Sequence, residues 1–177
     1  MFKQMTRFFR HLFSNPWQVK KHFSAQALQH IEAAITASEV KHTGEIRFVV
    51  EAGLHPYEIM GKKSPRNRAI ELFSHLNIWD TEHNNGVLIY LLLADRDVEI
   101  VADRGIDKHI GYDQWDMICH EMEVMFRRGE FELGVLQGLN AVSAALEKHF
   151  PVESIKNKRK RSVQRKTNEL PDKPLIL

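Results

Sequence analysis

Apolar and polar positions along this chain fall into blocks with two different periods, and the blocks predict its elements. Near the start, Phe2, Met5, Phe8 or Phe9, and Leu12 or Phe13 recur at helical spacing, with Lys3, Arg7 and Arg10 between them. That is the pattern of a basic amphipathic helix, suited to a membrane surface, to a partner or to its own domain. Asn15-Pro16 breaks it. Ser24 reads as an N-cap, with Phe23 and Leu28 spaced as a hydrophobic staple, and Leu28, Ile31 and Ile35 share one face of a helix running to about Val40. Glu45 to Val50 alternates and is rich in β-branched residues, which predicts a strand. The Glu45, Arg47 and Glu51 face of that strand reads as a solvated or helix-covered edge. Residues 53–63 read as a loop, and Ser64-Pro65 then caps a helix carrying Ile70, Phe73 and Leu76.

Gly86 opens a continuous apolar run, Val87 to Leu93, of the kind a strand shows when both its faces are covered. Asp95-Arg96-Asp97 predicts a tight turn into a half-exposed strand over 98–102. A loop from Gly105 to about Asp113 leads to a helix marked by Trp115, Ile118, Met122 and Met125 or Phe126, closed by Arg127, Arg128 and Gly129. Val135, Leu139, Val142 and Leu146 mark the last helix, ended at Phe150-Pro151. The order is α-β-α-β-β-α-α. A helix between the first two strands makes them parallel by a right-handed crossover, and the short turn makes the third antiparallel. The fold class is therefore α/β, a three-layer α/β/α sandwich with a small mixed sheet.

Composition changes this picture little, and charge changes it more. The 177 residues are 43% hydrophobic and 27% charged, ordinary globular usage, but the net charge of +2 is segregated. Residues 1–23 carry five Lys/Arg and no acid, and residues 152–177 carry eight against three, which leaves 12 basic and 20 acidic residues between. The organisation is an N-terminal arm (1–23), an acidic domain (24–151) and a basic tail (152–177), the tail expected to be disordered because apolar residues are scarce until Leu175. The acidic body would repel phosphates, so nucleic acid is disfavoured as a partner. The tail run Lys156 and Lys158 to Arg161 has no aromatic interleaving for base stacking and suits non-specific electrostatics or solubility. One cysteine, Cys119, makes no internal disulfide, no apolar run spans a bilayer, and no signal peptide is visible. The expected setting is cytoplasmic, with peripheral contact to an anionic membrane through residues 1–14.

The hairpin folded about Arg96 brings the start of one strand beside the end of the other. Asp80-Thr81-Glu82-His83-Asn84-Asn85-Gly86 must meet Asp103-Arg104-Gly105-Ile106-Asp107 at one pole of the sheet. Side-chain oxygens of Asp80, Glu82, Asn84, Asn85, Asp103 and Asp107 without cysteine suit a hard cation, Ca²⁺ or Mg²⁺. Such a cation could polarise a phosphoryl oxygen while Arg104 holds another as a planar fork. The same residues also serve turns, because Asn and Gly accept positive φ and Asp caps amides, and spacing alone favours that reading. His83 lies in the pole and is available as a ligand or proton shuttle, or is simply an exposed loop histidine. Cys119 falls on the buried stripe of its helix and reads as an inert core thiol. P-loop, Gly-x-Ser-x-Gly, Gly-x-Gly-x-x-Gly, zincin and EF-hand patterns do not occur.

Ser38-Glu39 and His42-Thr43-Gly44-Glu45-Ile46, then Trp79-Asp80-Thr81 and Asn84-Asn85-Gly86-Val87-Leu88, then Asp103-Arg104-Gly105-Ile106 together resemble the TPM domain family over about 24–150. The resemblance implies an α/β/α sandwich, a phosphatase activity on phosphomonoesters, and divalent-cation binding. By position it carries a cation or phosphate site onto Asp80, Asn84, Asn85 and Asp103; for hydrolysis at that pole the candidate catalytic residues are Asp103 and Arg104. Many members show Gly-x-Gly where this chain has Asp103-Arg104-Gly105, which changes the ligands and charge of any site here. The expected partner is a phosphorylated substrate or, if the domain is non-catalytic, a cation or a protein of a membrane complex.

Overall fold

The computed structural model describes residues 2–152 and 168–177. The arm forms two helices, α1 (Phe2–Leu12) and α2 (Pro16–His22). Asn15 separates them by capping the second: its side-chain oxygen accepts from the amides of Trp17 and Gln18 at 2.9 and 3.2 Å, and Pro16 takes the first helical position. Ser24 caps α3 (Ala25–Glu39) as predicted, accepting from the Ala27 amide at 3.0 Å. Then follow β1 (Glu45–Glu51), α4 (Pro56–Met60), α5 (Pro65–His75), β2 (Gly86–Leu92), β3 (Asp97–Ala102), α6 (Arg104–Ile110), α7 (Tyr112–Arg127), α8 (Phe131–His149) and the two-residue β4 (Leu175–Ile176).

The sheet runs β3-β2-β1-β4. β1 is parallel to β2, with Glu45 opposite Gly86, and β2 is antiparallel to β3, with Val87 opposite Ala102. Helices cover both faces, so the α/β/α sandwich and its mixed sheet stand. On one face Ile46, Phe48, Val50, Val87, Ile89 and Leu91 meet α2, α3, α7 and α8; on the other Val49, Leu88, Tyr90 and Leu92 meet α4 and α5. Gly134 and Gly138 let α8 come close to α7: a Cβ on Gly138 would lie 2.2 Å from the Met122 sulfur.

Several local expectations are corrected. Residues 104–110 form α6 rather than a loop, because Asp103 caps them, and the expected loop 53–63 contains α4. In α5 the stripe facing the sheet is Ala69, Leu72, Phe73 and Leu76, while Ile70 lies off it and is exposed. The end of the tail is ordered, not disordered: β4 pairs in parallel with β1, and Arg47 donates to the carbonyls of Pro171 and Lys173. The basic run Lys156 and Lys158 to Arg161 lies outside the described residues. With β4 beside it, β1 is an interior strand, and Glu45, Arg47 and Glu51 are buried rather than solvated at an edge.

Burying Glu51 requires partners, and it has them. Its carboxylate accepts from Arg68 Nε and Nη2 at 2.9 and 2.8 Å and from the Tyr90 hydroxyl at 2.6 Å. Burial, then the Glu51 charge, drives the Tyr90 hydroxyl far above its ordinary range. The arm docks on the body close by. Asp95 accepts from Arg7 Nε at 2.8 Å and Arg10 Nη2 at 3.1 Å, while the buried His11 accepts the Leu54 amide at 2.9 Å. Val19 of α2 is fully buried in the main core, worth about 1.5–3 kcal/mol, so the packed body begins before residue 24.

Candidate functional site

The predicted pole exists, at the amino end of the parallel strands. The Asp103 amide donates to the Gly86 carbonyl at 2.9 Å and the Gly105 amide to the Asn84 carbonyl at 2.8 Å. Both glycines are demanded by backbone approach rather than by φ. A Cβ on Gly86 would lie 2.0 Å from the Ile78 carbonyl oxygen, and one on Gly105 would lie 2.2 Å from that of Asn84. Asn84 itself turns the chain with φ 51°, a conformation asparagine accepts. The turn is closed by Thr81, whose carbonyl takes the Asn84 amide and whose hydroxyl takes the Asn85 amide, each at 3.1 Å.

Four side chains chosen from the sequence meet here. Asp103 Oδ1 accepts from the Arg104 amide at 2.7 Å and so starts α6. Arg104 Nε donates to Asn84 Oδ1 at 3.1 Å and stays exposed. Asn85 is fully buried, and its amide nitrogen donates to Thr43 Oγ1 at 3.2 Å. Two acceptors at the pole have no donor: Asn85 Oδ1 and Asp103 Oδ2 are both enclosed and unpaired. The other predicted residues are less involved. Asp80, Glu82 and His83 are exposed on the loop, and Asp107 accepts from the Trp115 indole at 3.1 Å instead of facing the pole.

Sequence reasoning missed the polar residues that surround this point from other elements. Thr43 and the buried His42 precede β1, Glu39 of α3 accepts the Ile46 amide at 3.1 Å, and Glu45 accepts the Leu170 amide at 3.3 Å. His42-Thr43-Gly44 reads as a helix stop, and nothing in its spacing tells that Thr43 reaches Asn85.

Among the described residues, no three His, Cys, Asp or Glu side chains gather as a metal site. The pole offers one carboxylate, Asp103, with the amide oxygen of Asn85, which are oxygen donors of the type hard cations take. A second polar feature is a slot of about 190 Å³ between β3 and α7, lined by Asp97, Glu99, Asp116 and Glu123 with Arg66 and His120. Burial, with Glu99 and Glu123 nearby, pushes the Asp97 carboxyl up to about 7. Cys119 also borders the slot, but burial pushes its thiol up to about 12, which keeps it protonated and inert.

No helix among the described residues is long and apolar enough to cross a membrane. No curated protein sequence matches the chain. Among solved structures it is similar to the BA42 protein of the psychrophilic bacterium Bizionia argentinensis, with 27% identity and a TM-score of 0.70, covering 87% of this chain and 94% of that one. It shares its fold with the N-terminal domain of a P. gingivalis protein, with 18% identity and a TM-score of 0.58, covering 77% of this chain and 90% of that one. The sequence model of the TPM domain matches residues 19–145, from the buried Val19 in the middle of α2 almost to the end of α8, and the chain belongs to the TPM domain family.

Proposed function

We propose that the chain is a TPM-domain binding module that takes a divalent cation, Ca²⁺ or Mg²⁺, at the amino-end pole. The pair of enclosed acceptors, Asn85 Oδ1 and Asp103 Oδ2, carries this reading. A buried acceptor left without a partner costs about 1–3 kcal/mol, and a cation or an ordered water removes that cost. Asn84 sets the turn that aligns the two segments, and Asp80, expected from the sequence as a ligand, is exposed on the same loop. Arg104 is exposed beside them and suits the anionic group of a phosphorylated ligand or protein partner held by the cation. The cytoplasmic setting expected from the lone cysteine belongs to the same reading.

Arg104 beside Asp103 also supports a second reading, hydrolysis of a phosphomonoester by water that the cation activates, with these two residues as the catalytic pair. One experiment separates the readings. The full chain is titrated with Ca²⁺ and with Mg²⁺ in two-dimensional NMR, then assayed with p-nitrophenyl phosphate. Shifts centred on residues 80–86 and 103–107, abolished by Asn85→Ala and by Asp103→Asn, are the expected result; asparagine keeps the helix cap. A flat titration sinks the cation site. Turnover that is lost in Asp103→Asn would replace the binding module by the hydrolase.

A further inference from the structure

The arm carries a surface that its docking on the body does not use. Its inner face is committed: Phe8 packs against the core, Arg7 and His11 reach Asp95 and Leu54. Its outer face is apolar and open, with Met5 and Phe9 half exposed, Phe13 at 68% and Trp17 at 79%. Phe9 and Phe13 stack with ring centres 6.4 Å apart, so the ridge is continuous along the junction of α1 and α2.

Beside this ridge lies a groove of about 900 Å³ between α1, α2 and the β2–β3 turn. Its apolar lining includes Met5, Phe9, Phe13 and Phe131, and Arg10, Lys21 and Arg96 stand around it. No carboxylate lines it. Lys21 and Arg96 are exposed and enter no ion pair among the described residues, and Arg10 gives only one guanidinium nitrogen to Asp95. Arg96 is held at the tip of the hairpin with φ 53°, so three separate elements deliver cations to one groove. Meanwhile residues 1–23 contain five Lys/Arg and no acid, against an acidic body.

Two cations without counter-charges, Lys21 and Arg96, with Arg10 shared with Asp95, stand around an apolar trough flanked by two projecting aromatics and match an anionic amphiphile rather than a free anion or a neutral helix. We propose that the α1–α2 face docks on an anionic phospholipid surface, with a lipid phosphate among Arg10, Lys21 and Arg96 and with Phe13 and Trp17 in the acyl boundary. This surface is separate from the pole, at the other end of the parallel strands, and does not depend on the function proposed there.

The test uses the full chain and vesicles of phosphatidylcholine with or without phosphatidylglycerol, read by co-sedimentation. Binding is expected only with phosphatidylglycerol and should fall as salt rises. Lys21→Gln with Arg96→Gln should weaken it about twentyfold. Phe13→Ser with Trp17→Ser should weaken it about tenfold or more. These side chains are exposed, so circular dichroism should be unchanged. Vesicles should shift tryptophan emission to the blue, and Trp17→Phe should remove that shift although Trp79 and Trp115 remain. Replacing Lys156 and Lys158 to Arg161 by glutamine should leave most binding in place. Equal binding to both vesicles, binding untouched by both α1–α2 variants, or binding lost with the tail replacement alone would each overturn the proposal. So would a dimer dispersed by Phe13→Ser in a chain that ignores vesicles, which would assign the face to a second copy.

Discussion

The two ends of the β1–β2 pair treat buried polar atoms in opposite ways. At the carboxyl end, Glu51 is buried but satisfied by three donors, and Asp95 holds the arm down through Arg7 and Arg10. At the amino end, the chain segments approach backbone to backbone across Gly86 and Gly105, and two enclosed oxygens are left without donors. Open α/β sheets usually bind ligands at the carboxyl ends of their strands. Here α1 and the ion pairs of Glu51 and Asp95 cover that end of β1 and β2, with Asp97 Oδ1 at the start of β3 still unpaired, whereas at the amino end two acceptors are enclosed where two chain segments meet. A satisfied buried network rigidifies a fold, whereas an unsatisfied one asks for something to bind.

The largest expected effect comes from breaking the closed end. Glu51→Ala strands Arg68 and the Tyr90 hydroxyl in the core and should cost about 3–5 kcal/mol in urea unfolding. A loss under about 1 kcal/mol would mean that the network is not what holds this end together.

A smaller loss is expected from crowding the open end. Gly105→Ala pushes a methyl against the Asn84 carbonyl and should destabilise by about 1–3 kcal/mol, with amide shifts concentrated in the 81–86 and 103–107 segments. An unperturbed spectrum would show that the two segments are not in contact.

The last effect lies at the start of β3, opposite Leu92, and depends on pH. Asp97 is raised by burial and by its acidic neighbours, so the folded chain holds its proton up to about 7 while the unfolded chain releases it near 3.8. Its contribution to stability is therefore full below the unfolded value and is lost as pH rises through about 7. Asp97→Asn should stabilise the protein most at about pH 8, less at about pH 5 and little near pH 3, seen as a thermal midpoint difference that shrinks as pH falls. An equal change at all three pH values would remove the titration from the account.

Much of the candidate site was legible because strand geometry carries it. Once residues 87–93 and 98–102 are recognised as a hairpin, Asn84, Asn85, Asp103 and Arg104 have to meet, whatever surrounds them. What spacing could not tell is which of the acidic residues in the two segments face inward. Asp107 was a plausible ligand until Trp115 took its carboxylate, and Thr43 was invisible because its partner is 42 residues away. The acidic slot beside β3 was equally hidden, since Asp97, Glu99, Asp116 and Glu123 come from two elements that only packing brings together.

By itself the sequence determined the elements that repeat locally: α3, α7 and α8 from their apolar stripes and caps, and β2 and β3 from a covered run, a tight turn and an alternating return. It also determined the α/β/α layering, because a strand apolar on both faces needs helices on both sides. Only the tertiary structure decided that β1 is an interior strand, since that required the last residues of the chain to return as β4 beside Val49 and Val50. Only the tertiary structure decided which face of α1 is buried, since an amphipathic helix presents the same pattern to a membrane and to its own domain. Periodicity states that a face will be covered; the cover itself is chosen by contacts between residues far apart in the chain, and those are set by packing and charge rather than by spacing.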